Sequence, residues 1–190
     1  MLRDKTIPSS WYSDKKILKI EKKNIFSKSW HLLGSVDQVS NKGDYIIRRI
    51  NEQPIILIKD KVGRINVFYN ICQHRGCVLL EGDGNSQQIK CGYHGWVYEL
   101  NGKLKAARGF DKEDLDFEKL NLKSIEHYTW MNQIFVKLQS DCNNLPKTLD
   151  EIETIISPIK FDDYLFHFRK SYKIKCNWKV YMDNYLEGFH

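Results

Sequence analysis

Two short stretches hold most of the metal-binding chemistry in this chain: Cys72-Gln73-His74 and, after residues 75–90, Cys91-Gly92-Tyr93-His94. Thiolate and imidazole are the side chains that take transition metals in preference to hard cations. Two of each suit either of two centres. One is a tetrahedral zinc with Cys₂His₂ ligation; the other is a [2Fe-2S] cluster with both cysteines on one iron and both histidines on the other. Gly76, Gly92 and Gly95 lie beside the candidate ligands, where tight loops turn backbone N–H groups toward the sulfurs of a cluster. A lone zinc has no sulfides to satisfy, so the glycines weigh toward the cluster and leave zinc open. Tyr93, Trp96, Leu79 and Leu80 are candidates to shield the centre from water.

The other chemically capable residues carry plainer readings. The five cysteines (Cys72, Cys77, Cys91, Cys142, Cys176) are an odd number in a chain long enough to bury a core, which favours metal binding over disulfides. Cys142 and Cys176 are isolated and read as buried or loop thiols. His31, His127 and His167 read as hydrogen-bonded structural histidines, Asp162, Asp163 and Asp183 as surface carboxylates, and Trp30, Trp130 and Trp178 as core anchors.

The elements that must position the pairs are mostly strands. Runs rich in Ile, Val, Tyr and Phe at 45–50, 55–59, 65–69, 96–100, 104–106 and 130–138 are separated by turn signals, an all-β pattern. Asp60-Lys61-Val62-Gly63 closes one hairpin and Asn101-Gly102 another, and residues 81–86 form a loop. On either side the texture is helical. An amphipathic helix over 14–28 follows a Ser13 cap, and Leu149, Ile152, Ile155 and Ile156 recur at helical spacing behind Pro146. Residues 164–174 read as a strand and 178–189 as a second C-terminal helix.

Composition narrows the function. A 42% hydrophobic content excludes a disordered tail. No apolar run approaches the ~20 residues of a membrane-spanning helix, and residues 1–16 do not read as a secretory signal; the expectation is a cytoplasmic protein with no membrane partner. A net charge of +6 from scattered basic residues is poor support for nucleic-acid binding. The Lys15, Lys16, Lys19, Lys22, Lys23 and Lys28 cluster reads as a solvated helix face.

CQHRG at 72–76 with CGYHGW at 91–96 resembles the ligand motif of Rieske iron–sulfur proteins, C-x-H followed by C-x-x-H. Cys77 stands where Rieske proteins of respiratory complexes carry a disulfide cysteine, but the partner position is Tyr93, so the resemblance implies the oxygenase branch and no bridge. IPSSWYSD at 7–14, KSWHLLGSVDQV at 28–39, GDY at 43–45, FYNICQHRG at 68–76 and YHGWVYELNGKL at 93–104 are similar to the N-terminal half of the large (alpha) subunit of Rieske non-haem iron oxygenases. That group spans aromatic-ring-hydroxylating dioxygenases and choline- and carnitine-type monooxygenases. NWKVYMDNYLEGFH at 177–190 resembles the helix that opens the group's catalytic domain.

The resemblance implies a mostly β fold of antiparallel sheets, divided into an N-terminal arm with a short helix (1–34), a Rieske [2Fe-2S] domain (35–140) and the beginning of an α+β catalytic domain (141–190). Cys72, His74, Cys91 and His94 would hold the [2Fe-2S] cluster. Electrons would arrive from a reductase or ferredoxin and leave for a mononuclear Fe(II) that activates O₂. Histidine ligation suits this task, because neutral imidazoles in place of thiolates raise the potential to about −150 to +300 mV. His190 matches the first mononuclear-iron ligand. Glu187 matches the carboxylate through which His94 of one subunit reaches the iron site of the next, within a homotrimer or alpha-beta hexamer. The second histidine and the carboxylate of a 2-His-1-carboxylate triad do not follow, so the expectation is the front part of a longer polypeptide with an incomplete catalytic site. Glutamate at the relay position is familiar from relatives that oxidise quaternary ammonium compounds; aromatic hydrocarbon catabolism is the other expectation. Two rival readings are a self-standing Rieske ferredoxin, which has no need of residues 1–30 or 177–190, and a zinc-binding interaction module.

Overall fold

The computed structural model describes residues 7–111, 113–156 and 158–188. Its helices are α1 (Ser10–Ser13), α2 (Lys15–Asn24), α3 (Leu145–Ile156) and α4 (Trp178–Leu186). Its strands are β1 (Trp30–Ser35), β2 (Asp44–Ile50), β3 (Gln53–Lys59), β4 (Ile65–Tyr69), β5 (Gly84–Asn85), β6 (Ile89–Lys90), β7 (Val97–Tyr98), β8 (Leu104–Ala106), β9 (Glu126–Trp130) and β10 (Gln133–Lys137). The chain divides into two compact units, residues 28–166 and residues 1–27 with 167–190.

The larger unit is mostly β and wholly antiparallel, with three sheets ordered β1-β10-β9, β4-β3-β2-β5 and β6-β7-β8. β3 is its centre. Ile55, Ile56, Leu57 and Ile58 are all 0% exposed, and side chains in a strand alternate between faces. Ile56 and Ile58 accordingly pack with Phe68, Leu79, Ile89, Trp96, Tyr98 and Leu104. Ile55 and Leu57 pack with Leu33, Val39, Ile46, Val67, Ile134 and Val136. A strand buried on both faces reads as a continuous apolar run, which is what Ile-Ile-Leu-Ile is.

Hairpin turns set the register. Gly102 takes φ +83° and its amide donates to Glu99 O at 2.9 Å, closing β7 onto β8 as Asn101-Gly102 predicts. Two other turns use non-glycine residues in the left-handed region: Asn51 (φ 46°) and Glu52 (φ 69°) between β2 and β3, and Met131 (φ 43°) and Asn132 (φ 64°) between β9 and β10. The second corrects the single strand read over 130–138. Positive φ at both central residues is the two-residue turn that matches strand twist, and the β9–β10 pairing tolerates Met131 there. Within the loop at 81–86, Gly84 and Asn85 pair with Tyr45 and Asp44.

Three further expectations change. The helix expected over 14–28 starts behind Asp14, whose carboxylate accepts the Lys16 amide at 2.7 Å; Ser13 is already the last residue of α1. Residues 164–174 join no ladder, and Tyr164, Leu165, Phe168, Tyr172 and Ile174 are exposed. A strand needs a neighbour for its backbone groups, and no described residue supplies one. Trp30, Trp130 and Trp178 are half-buried and anchor through their indole N–H groups, which donate to Asn143 O, Glu153 and Glu21 respectively.

The smaller unit joins the two ends of the chain. Lys179 of α4 meets Glu21 of α2 at 2.6 Å, their side chains 9% and 8% exposed. Burial pushes the Glu21 carboxyl up, but hydrogen bonds from Lys179 and Trp178 outweigh it and the net shift is downward. A carboxyl lowered on folding stabilises above its unfolded value and loses that contribution as pH falls through the folded one.

Two outcomes follow. Gly102→Ala places a methyl 2.6 Å from the Phe68 ring on a left-handed backbone and should cost about 1–3 kcal/mol by denaturant titration. Glu21→Gln should lower hydrogen-exchange protection of the α4 amides, after correction for intrinsic rates. It should also remove the fall in protection that the parent protein shows as pH drops below the ordinary carboxylate range.

Candidate metal centre

Two loops of the same construction carry the paired residues. The Cys72 amide donates to Cys77 O (2.8 Å) and the Gly76 amide to Cys72 O (3.0 Å). The Cys91 amide donates to Trp96 O (2.8 Å) and the Gly95 amide to Cys91 O (3.1 Å). Gly76 and Gly95 take φ +72° and +73°, so each loop turns back through a left-handed residue four after its cysteine. Gly92 needs no such conformation. The histidine is two residues after the cysteine in the first loop and three after it in the second. That offset brings the imidazoles together, ring centroids 4.6 Å apart at 67°.

The thiols lie deeper. Cys72 and Cys91 are each 2% exposed, in the same core as Ile56 and Ile58. Burial pushes the Cys72 thiol up, and the adjacent Cys91 adds to that against hydrogen bonds from Tyr98 and the His74 backbone. Burial, helped by His74 and Arg75, lowers His94. A buried Cys72 thiol that resists ionising and a neutral His94 imidazole are groups that a cation bound beside them would convert to ligands, by supplying the missing positive charge.

Asn70 and Tyr98 fix the first loop. Asn70 is fully buried; its side-chain oxygen accepts the Leu79 and Leu80 amides (3.1 and 3.0 Å) and its NH₂ donates to Leu80 O (2.7 Å). The Tyr98 hydroxyl accepts the Gln73 amide at 3.0 Å and lies 3.4 Å from Cys72 Sγ. Either group can donate while Cys72 is a thiol; a thiolate ligand at Cys72 would have no proton, and the hydroxyl would then be the donor. Burial first, and then Cys72, push the phenol well above its usual range. Neither residue stands out in the sequence. Tyr98 is seven positions beyond Cys91 in a strand, and only the inward direction of that strand points it at the site.

Trp96, 2% exposed, stacks on His74 at 4.8 Å and 8°, with Phe110 edge-on to both. Tyr93 is 62% exposed and covers His94 at 3.7 Å. His74 Nδ1 is buried without a hydrogen-bond partner. Such an atom is costly unless something else binds it, and a ligated metal does so. Thiol beside thiol and imidazole beside imidazole is the segregation a two-iron group asks of its ligands. Among the described residues no group of three or more His, Cys, Asp or Glu gathers on one point, where zinc would draw all four. The residues present fit a [2Fe-2S] cluster.

The remaining candidates lie elsewhere. Glu187 caps α4 in the other unit, exposed, with its amide donating to Asp183 O at 3.0 Å. His190 lies outside the described residues. Cys142 donates to Gln139 O and Cys176 is exposed; neither has a base beside it among the contacts described.

An antiparallel β unit that offers two buried thiols and two paired imidazoles from twin loops defines an iron–sulfur module. Residues 29–126 match the model of the Rieske [2Fe-2S] domain, and residues 161–190 match the ring hydroxylating alpha subunit (catalytic domain). The chain belongs to the Rieske [2Fe-2S] domain family. It is 32% identical to choline monooxygenase of Beta vulgaris over 96% of this chain and 42% of that one. It is 31% identical to the carnitine monooxygenase oxygenase subunit of Acinetobacter pittii, over 97% and 51%. The crystal structure of the quaternary ammonium Rieske monooxygenase CntA matches with a TM-score of 0.87 at 29% identity, over 95% of this chain and 54% of that one. The chain spans about half the length of these relatives. A naphthalene 1,2-dioxygenase matches less, 77% of this chain and 34% of that one at 26% identity and a TM-score of 0.71. The expectation of aromatic hydrocarbon catabolism is therefore not supported: the more similar relatives are named for choline, carnitine and quaternary ammonium compounds.

Tyr98→Phe removes a proton aimed at Cys72 sulfur, and that hydrogen bond counts most when the sulfur is most negative, in the reduced state. The midpoint potential of the reconstituted protein should fall by several tens of millivolts, with ~59 mV equivalent to ~1.4 kcal/mol for one electron. Protein-film voltammetry reads it.

Proposed function

We propose that this chain is the N-terminal part of the large subunit of a Rieske oxygenase, a monooxygenase acting on a quaternary ammonium compound. What carries the reading is the pair of matched loops that put Cys72 beside Cys91 and His74 beside His94. These four residues hold the [2Fe-2S] cluster, and Tyr98, Trp96 and the surrounding apolar side chains keep water from it. When bound, the cluster supplies one-electron storage at a potential raised by neutral imidazoles.

The chain's own residues divide the remaining tasks. His94 stands at the rim beneath exposed Tyr93, where a reductase or ferredoxin donor and a neighbouring subunit can approach. Glu187 is the carboxylate through which His94 of one subunit in a homotrimer or alpha-beta hexamer communicates with the iron site of the next. His190 is the first ligand of that mononuclear iron. Functionally, residues 1–34 are an arm, 35–140 the Rieske domain and 141–190 the start of the catalytic domain. Support for the oxygenase over a self-standing ferredoxin comes from the match of residues 161–190 to a catalytic domain. Support for the substrate class comes from the names of the relatives and from Glu187. No helix among the described residues is long and apolar enough to cross a membrane, and a cytoplasmic site of action fits that.

Iron, acid-labile sulfide and zinc per chain, on anaerobically purified protein before and after Cys91→Ser, test the reading. Two irons and two sulfides lost in the variant are expected; one zinc without sulfide would overturn it. In the holoenzyme, Glu187→Gln should leave both metal centres loaded and slow intercluster transfer in single turnover.

A further inference from the structure

We propose that Tyr12 and Glu21, in the N-terminal arm, are positioning residues for Glu187: they grip the face of α4 at whose end that carboxylate stands. The inference rests on the reading of Glu187 as the relay group.

Lys179, Asp183 and Glu187 follow one another at four-residue intervals, so they form one stripe along α4. The arm holds the first two. Glu21 accepts from Lys179 Nζ at 2.6 Å and, with its other oxygen, from Trp178 Nε1 at 2.9 Å. Tyr12 donates to Asp183 Oδ2 at 2.6 Å. Lys179 is enclosed further, its ammonium 5.6 Å over the Tyr12 ring and 5.4 Å over the Trp178 ring, with a hydrogen bond to Asn177 Oδ1 at 2.9 Å. Phe26 packs edge-on to Trp178 at 5.1 Å. Two grips one turn apart fix both the rotation and the height of a helix, whereas one grip leaves rotation free.

The third member of the stripe, Glu187, is exposed. Val180, Tyr181, Met182, Tyr185 and Leu186, spread around the rest of the helix, are exposed as well, so the arm's hold on the stripe is what sets the direction of Glu187. A buried ion pair is a poor source of stability compared with apolar packing, but its hydrogen bonds are directional and specify register. The field of the stripe reaches the arm: the Tyr12 phenol is held above its usual range by Asp183 first, and by Glu187 more weakly.

The test labels the tyrosine rings with ¹³C in the intact chain and follows the Tyr12 phenol through its titration by NMR, its signal assigned by its loss in Tyr12→Phe. Glu187→Gln is expected to lower the Tyr12 ionisation point in the parent background and to do so markedly less in Glu21→Gln. No response to Glu187→Gln, or the same response in both backgrounds, would overturn the proposal. Should Glu21→Gln fail to fold, Glu21→Asp, which keeps the charge but withdraws it by one methylene, makes the same comparison, and full Glu187 sensitivity there overturns it equally. In the holoenzyme with both metal centres loaded, Tyr12→Phe should slow intercluster transfer by about tenfold through misplacement of the relay. A Glu187→Gln holoenzyme with parental transfer rates sinks the relay reading instead, and the titration still decides whether the arm orients Glu187.

Discussion

Four aliphatic side chains in succession, Ile55–Ile58, are buried completely on both faces of one strand, and the larger unit is arranged around that constraint. A strand with two apolar faces has to be covered twice. One cover is the β1-β10-β9 sheet, through Leu33, Ile134 and Val136; the other is the layer of Ile89, Trp96, Tyr98 and Leu104. The second layer carries the loops of the metal centre. Cys72 and Cys91 are members of the same packed cluster as Ile56 and Ile58, so the candidate ligands rest on the packed core of the unit. Precise placement of ligands is worth most where the supporting shell is itself locked by packing.

That location has an electrostatic consequence. The Cys72 thiol, in an apolar core and beside Cys91, resists ionisation. A bound cation would supply the compensating positive charge, and the surroundings would then moderate the negative charge on sulfur. The chain has a donor in place for the purpose. The Tyr98 hydroxyl accepts the Gln73 amide and lies 3.4 Å from Cys72 Sγ, where it would donate to a thiolate. The histidines are half-buried, and His94 is lowered by burial first and then by His74 and Arg75; neutral imidazole is the form that ligates. Fully buried sulfur and half-buried imidazole together give the site a direction, thiols inward and rings toward the rim.

The sequence was readable wherever a residue type alone determines the outcome. Asn101-Gly102 announces its hairpin, the Ile-Ile-Leu-Ile run its central strand, and the two Cys-His pairs with their glycines the twin loops that meet. It was unreadable where a neighbour decides. Met131-Asn132 makes a left-handed turn with no glycine to mark it, because the pairing of β9 with β10 fixes the turn from outside. Residues 164–174 have strand composition and no strand, since propensity describes fitness for a pleated surface and none is at hand among the described residues. Asn70 and Tyr98 look like ordinary strand residues until the fold aims them at the first loop. Glu21 and Lys179 are one lysine-rich helix and one remote lysine; nothing local says they meet.

How that remote pair can meet follows from the larger unit. Glu21 and Lys179 are separated by 158 residues, a long loop to close in a flexible chain. Residues 28–166 fold into a unit that ties its own beginning to its later segments. Lys28 pairs with Asp141 at 2.5 Å, Trp30 donates to Asn143 O at 2.8 Å, and the Phe166 amide donates to Asp37 at 2.7 Å. Once those ties form, the free segments joining the arm to α4 are a small part of the original separation. Each halving of a loop saves ~0.6 kcal/mol, so about three halvings give roughly 2 kcal/mol. That is comparable to the net worth of the hydrogen bonds between Tyr12 and Asp183 and between Glu21 and Lys179. Folding of residues 28–166 thus offsets much of the closure cost of the contact between the arm and α4.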